Sequence, residues 1–93
     1  MVQARWNGAV IADSDDIVVV EGNPYFSRGA VDAAILSDSA TTSLCPWKGI
    51  AHYHHVTVEG RVNEDAAWYY PDPKEAAAAI RDRIAFWKGV EVG

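Results

Sequence analysis

Asn7-Gly8 constrains this chain more than any other dipeptide, because both residues tolerate positive φ and so favour the tight turn that joins two antiparallel strands. Val2 to Trp6 alternates before it, with Val2, Ala4 and Trp6 on one face, and Ala9-Val10-Ile11-Ala12 supplies the return strand. Asp13-Ser14-Asp15-Asp16 is a polar turn, and the β-branched run Ile17-Val18-Val19-Val20 predicts a third strand of a meander. Gly22-Asn23-Pro24 breaks that run. Turn residues recur at Glu59-Gly60, Pro71-Asp72-Pro73 and Lys88-Gly89, which cuts the chain into short, mostly β segments.

Ile50 to Val58 predicts a long strand, and Arg61 to Asp65 leads into another at Ala66-Ala67-Trp68-Tyr69-Tyr70. A short helix is expected from about Ser27 to Leu36, since Val31, Ala34 and Ile35 share a helical face, followed by a polar loop over Ser37 to Ser43. Asp72 reads as an N-cap, Pro73 as a first helical residue and Glu75 as a capping-box partner, predicting a second helix over Lys74 to about Asp82. Ile84-Ala85-Phe86-Trp87 and Val90-Glu91-Val92 are expected to form a closing hairpin.

Ninety-three residues suit one domain, taken as 1–93. Eight basic against thirteen acidic side chains give a formal charge of −5, and the basic ones are scattered, so a nucleic-acid partner is not expected. A single Cys excludes an internal disulfide and a four-Cys zinc site. Met1 to Trp6 lacks the apolar stretch of a signal peptide, and no segment has the roughly 18 apolar residues of a membrane span. The expectation is a cytoplasmic protein without a membrane partner, monomeric or homodimeric.

The densest chemistry lies in Cys45-Pro46-Trp47-Lys48-Gly49 and the strand after it, Ile50 to Val58, which carries His52, Tyr53, His54 and His55. Cys45 is a nucleophile if neighbours lower its thiol pKa, or an unreactive packing thiol. Lys48 places an ammonium toward a carboxylate or phosphate, or caps a turn whose bend Gly49 permits. His52 and His54 share a strand face at metal-ligand spacing, but two ligands make no site, and an exposed pair on a wet face is the plainer alternative. Tyr53 and His55 share the other face and form either an acid–base pair or a satisfied polar core pair. Trp68 and Tyr70 share a face and suit a pocket wall or a core anchor. Glu21, Arg28 and Asp65 are rim charges or solvated surface groups. Asp13 to Asp16 lacks the spacing of a calcium loop.

Several of these segments occur together in one family. Ile11-Ala12-Asp13-Ser14, Cys45-Pro46-Trp47-Lys48-Gly49 with Tyr53, Asp65-Ala66-Ala67-Trp68 with Tyr70-Pro71, and Ile84-Ala85-Phe86-Trp87 closely resemble the recurrent segments of domain of unknown function 427, also labelled nucleotidyltransferase-9. The resemblance spans nearly the whole chain and implies a mainly β, β-tent-like fold, two antiparallel sheets meeting at an angle, here with two short helices. The family usually shows Pro where this chain has Ser27 and Asp where it has Ala30, and often Tyr at His54. These departures flank the expected pocket and leave room for a different ligand. The transferase label implies little, because the chain has neither a Gly-rich phosphate loop nor paired metal-binding aspartates.

The expected site is a concave pocket lined by Tyr25, Tyr53, Trp68 and Tyr70, with Lys48, His55 and Cys45 as its polar groups. No metal and no cofactor is expected, and the expected partner is a small organic ligand, anionic or planar. Three functions are open: a binder of that ligand, an enzyme using Tyr53 with His55 or Cys45, and a protein-interaction module presenting its Trp residues.

Overall fold

A computed structural model describes residues 1–93. The fold is mainly β, built from open antiparallel sheets and short 3₁₀ turns. Strands β1 (Val2–Trp6), β2 (Ala9–Ser14) and β9 (Glu91–Val92) make one sheet in the order β2-β1-β9. Strands β3 (Ile17–Val20) and β4 (Asn23–Phe26) make a hairpin of their own. The largest sheet runs β5-β6-β7-β8, from Leu36–Cys45, Gly49–Val58, Arg61–Tyr69 and Ala85–Phe86.

The Asn7-Gly8 signal is realised, with φ of 50° and 80° and Trp6 paired to Ala9 across the turn. Beyond it the expected meander does not continue. β3 pairs with β4, Val18 opposite Tyr25, and the free edge of β1 is taken by β9. The cause is the short Asn23-Pro24-Tyr25-Phe26 segment, in which Pro24 lacks an amide hydrogen but still sits opposite Val19 in a two-stranded ribbon. The expected closing hairpin is also absent. β8 pairs with β7 and β9 with β1, so the Lys88-Gly89 turn carries the chain from one sheet to another.

Both expected helices are corrected. Ser27 to Leu36 holds two single 3₁₀ turns, Arg28–Ala30 and Ala33–Ile35, the second capped by the Asp32 carboxylate accepting from the Ala34 amide. The second segment is a 3₁₀ stretch, Glu75–Ile80, capped by the Lys74 position rather than Asp72 and kinked at Ala77. Ala77 and Ile80 are its buried residues. The expected loop over Ser37 to Ser43 is strand β5, an edge strand whose side chains are mostly exposed, which is why it reads as polar.

The large sheet has two differently covered faces. On one, Phe86, Ala67 and Val56 pack with Ala4, Ile11, Ala12, Phe26 and Ile84 in the main core. On the other, Ala51, Tyr70 and Ala85 pack with Tyr25, Ala77 and Ile80. The β3–β4 hairpin serves both, since neighbouring residues of a strand point to opposite sides: Tyr25 enters the second cluster and Phe26 the first. No helix is long and apolar enough to cross a membrane.

Candidate functional site

Strand register builds the second face. Tyr53 of β6 lies directly opposite Trp68 of β7, and Trp68 opposite Ala85 of β8, so these three form a row across the sheet. Ala51, Tyr70 and Trp87 lie two residues from members of that row and flank it. The row is open at its outer end, where Lys48, Tyr53, Trp68, Tyr70 and Trp87 line a cleft of about 220 Å³. That is smaller than the roughly 300–1,000 Å³ of drug-sized pockets and matches a ligand of one or two rings.

Lys48 reaches the cleft from the turn between β5 and β6. Gly49 holds φ at 114°, and a Cβ there would sit 3.4 Å from the Asp72 carbonyl oxygen, so the bend needs glycine. The Lys74 amide donates to the Lys48 carbonyl at 2.9 Å, and Lys74 Nζ donates to the Pro46 carbonyl at 2.6 Å, which docks the turn on the segment after β7. The Lys48 side chain is 9% exposed. Its ammonium donates to the Glu21 carboxylate and lies 5.5 Å from the Tyr70 ring centre and 5.4 Å from that of Trp47. Burial pushes the ammonium down, but the bond to Glu21 and the nearby phenols of Tyr25 and Tyr70 outweigh it and hold Lys48 above its ordinary range. Glu21 is held below the usual carboxylate range, chiefly by the Lys48 hydrogen bond.

Three of the four aromatic walls, Tyr53, Trp68 and Trp87, are tied by a polar edge. Trp68 Nε1 donates to the Tyr25 hydroxyl at 3.1 Å, with the two rings perpendicular and 6.1 Å apart. Trp87 Nε1 donates to the Asp65 carbonyl, and the Tyr53 hydroxyl shares a 2.8 Å bond with Ser43 Oγ. Burial raises both the Tyr25 and Tyr70 phenols, which therefore stay protonated at neutral pH. Trp87 remains 45% exposed despite its tether.

Asp65 is the hub behind this arrangement. It sits at φ 57° in an irregularity of β7, where three residues lie between the partners of His54 and Val56. Its carboxylate accepts from Ser39 and from Thr41 Oγ1 at 2.9 Å, across the matching irregularity of β5. Its amide donates to His55 Nδ1 at 3.1 Å, and its carbonyl holds Trp87. The Ser39 bond holds the Asp65 carboxyl low against its partial burial, with Thr41 and His55 adding to the effect.

Lys48, Tyr53, Trp68 and Tyr70 thus meet as the sequence analysis expects, and three expectations are corrected. Tyr25 is fully buried behind Trp68 and supports the wall rather than lining it. His55 belongs to the Asp65 hub, so Tyr53 and His55 do not form the acid–base pair that alternation suggests, because the irregularity at Asp65 draws the imidazole away. Cys45, half-buried, pairs with Gly49 in the ladder and packs against the second cluster near Lys48 and Tyr70, without being one of the lining residues. Of the two alternatives left open for Glu21 and Arg28, Glu21 lies beside Lys48 at the cleft, whereas Arg28 does not. Arg28 lies on the opposite face, where it donates to His54 Nε2 at 3.2 Å, pairs with Asp82 at 3.3 Å and covers Tyr69.

His54 is only 6% exposed, so His52 and His54 are not the wet pair of the plainer alternative. Its ring stacks on Tyr69 at 4.6 Å, and Nδ1 lies 3.2 Å from Asp38 but is not aligned for a hydrogen bond. Trp87 is the lining residue that the sequence analysis missed. Its signal was the alternation Ala85-Phe86-Trp87, which puts Trp87 on the face of buried Ala85.

The family profile described as domain of unknown function (DUF427), NTP_transf_9, matches residues 1–92. This chain belongs to that family. No curated protein matches the chain. In this DUF427 domain the resembling segments converge on the cleft: Lys48 from the Cys-Pro-Trp-Lys-Gly turn, Trp68 from Asp-Ala-Ala-Trp, and Trp87 from Ile-Ala-Phe-Trp. The buried alanines between them, Ala66 and Ala67, leave room for the main core on the other side.

Proposed function

We propose that this domain binds a small, flat organic molecule in the cleft walled by Tyr53, Trp68, Tyr70 and Trp87, beside Lys48. One observation carries this reading: three wall rings have their polar edges already satisfied inside the protein, so a guest need only cover ring surface, of which the Lys88 ammonium takes a part at 5.1 Å from the Trp87 ring centre. A half-exposed indole pinned by a hydrogen bond loses little further side-chain entropy on binding, which favours affinity in a small site. The fixed cation gives the guest one orientation.

The ring of Trp87 crosses that of Trp68 at 77° with centres 5.8 Å apart, which makes a corner rather than a flat patch. A corner suits a ring edge-on to one wall and face-on to the other. Neither Cys45 nor His55 is among the five residues that line the cleft, and that favours a binder over an enzyme using either of them.

The test is a fragment screen followed through the indole N–H resonances. Small-ring fragments that bind should shift Trp87 and Trp68 and leave Trp6 in place. A screen whose hits move Trp6 or Trp47, and never Trp87 or Trp68, rejects the cleft as the site.

A further inference from the structure

The cleft contains a cation that cannot leave and a counter-ion that can. The Lys48 side chain is 9% exposed, whereas that of Glu21 is 51% exposed. Glu21 follows β3 on the tight turn into β4, at φ 54°, and reaches the ammonium from outside the five lining residues. Withdrawn, Glu21 returns its carboxylate to water at little cost. Lys48 would then be left in a largely apolar wall, and a buried charge stripped of its partner is strongly unfavourable. Another anion in the cleft removes that penalty.

We propose that the guest is a small aromatic carboxylate whose ring lies in the Trp68–Trp87 corner and whose carboxylate replaces Glu21 on Lys48. This rests on the cleft being the binding site proposed above. Glu21 is then an internal competitor that holds the charge position while the cleft is empty. The match in charge is one to one, a carboxylate for a carboxylate. A phosphate dianion would bring a second charge; the five lining residues supply no second cation, and the Lys88 ammonium, 5.1 Å from the Trp87 ring centre, lies outside them and donates to the Glu64 carbonyl, in a protein of net charge −5. A cationic guest would meet the Lys48 ammonium directly.

The experiment titrates the intact protein with indole-3-acetate and 4-hydroxybenzoate, and with their primary amides, following the Trp68 and Trp87 indole signals. In Glu21→Ala, where Lys48 has no partner of its own, the acids are expected to bind about tenfold or more tighter than the amides, one ion pair being the difference; in the parent protein the advantage is smaller, because the acid must displace Glu21. Glu21→Gln and Glu21→Ala should each tighten acid binding by about 3- to 10-fold, because they remove the competitor, and leave amide binding unchanged. In the parent protein, acid binding should also move the Glu21 carboxyl titration up to the ordinary carboxylate range. Amides that bind Glu21→Ala as well as the acids do overturn the proposal while the cleft remains a binding site. So does unchanged or weakened acid binding in both Glu21 variants. If neither acids nor amides shift the two indoles, the proposal and the cleft reading fall together.

Discussion

The two faces of the large sheet each bury one basic side chain, and they treat it in opposite ways. On the closed face His54 is stacked on Tyr69 beside Arg28, and burial followed by the Arg28 charge pushes its imidazole down, so the ring is neutral at pH 7. On the open face Lys48 stays charged, held by Glu21. A neutral imidazole needs no counter-ion and can be sealed inside. A retained ammonium needs one, and the half-exposed carboxylate supplying it leaves the face accessible. The closed face therefore carries a basic group that needs no partner, and the exchangeable one is proposed to lie on the open face.

The largest effect that separates the faces is a truncation on each. Phe26 is fully buried in the main core, edge-on to Phe86 with centres 5.8 Å apart, so Phe26→Ala should cost about 3–5 kcal/mol in chemical denaturation. Trp87→Ala removes a larger ring, yet one 45% exposed, and should cost about 1 kcal/mol while abolishing fragment binding. Equal losses from the two variants would make Trp87 a core residue and erase the contrast.

That contrast was only half legible in the sequence. Alternation placed Tyr53 with Ala51 and Trp68 with Tyr70, and the Lys48 turn announced itself by its Pro and Gly, so four lining residues could be named. Alternation also placed His55 beside Tyr53, and there it failed. The irregularity at Asp65 depends on Ser39 and Thr41, 26 and 24 residues away, and such long-range pairing leaves no local pattern. The helical segments failed for a related reason. The alanines of 76–79 carry helix propensity, but Arg81 pairs with Tyr70 and the Asp82 amide donates to its carbonyl, which ends the segment before an α-helix can pay back its nucleation.

Acid should sharpen the difference between the two basic groups. His54 has a folded pKa below its unfolded value of about 6.5, so the unfolded chain binds the proton more readily. Stability is full above that value and falls as pH drops through the window below it, by at most about 1.4 kcal/mol per pH unit for one proton. Besides Arg28, the Asp38 and Asp82 carboxylates face this ring and oppose the shift, which narrows the window without reversing it. His54→Phe should flatten the slope between pH 6.5 and the folded value. A slope unchanged in that variant would place the acid sensitivity elsewhere.

A smaller effect distinguishes the two members of the open-face pair. Lys48→Met replaces a buried charge with an apolar chain of similar length and frees an exposed carboxylate, so stability should change by less than about 1 kcal/mol in either direction. Glu21→Gln removes the exposed member and strands the buried one, so it should be the more destabilising of the two in chemical denaturation. The reverse order would mean that the ammonium is solvated and needs no partner.

The smallest expected effect concerns the hub that positions the open face. Trp87 is held by the Asp65 backbone carbonyl and not by its carboxylate, and Asn tolerates the positive φ that Asp65 adopts. Asp65→Asn should therefore keep the Trp87 indole resonance in place and cost less than about 1 kcal/mol, one weakened set of hydrogen bonds to Ser39 and Thr41. It should also remove a contribution to acid sensitivity. The Asp65 carboxyl is depressed in the folded protein, so its stabilisation is present above its unfolded value of about 3.9 and is lost as pH falls toward the folded one. A displaced Trp87 signal in Asp65→Asn would show that the carboxylate, and through it the edge strand β5, sets the corner. The open face would then depend on an edge strand 26 residues away rather than on its own strand pairing.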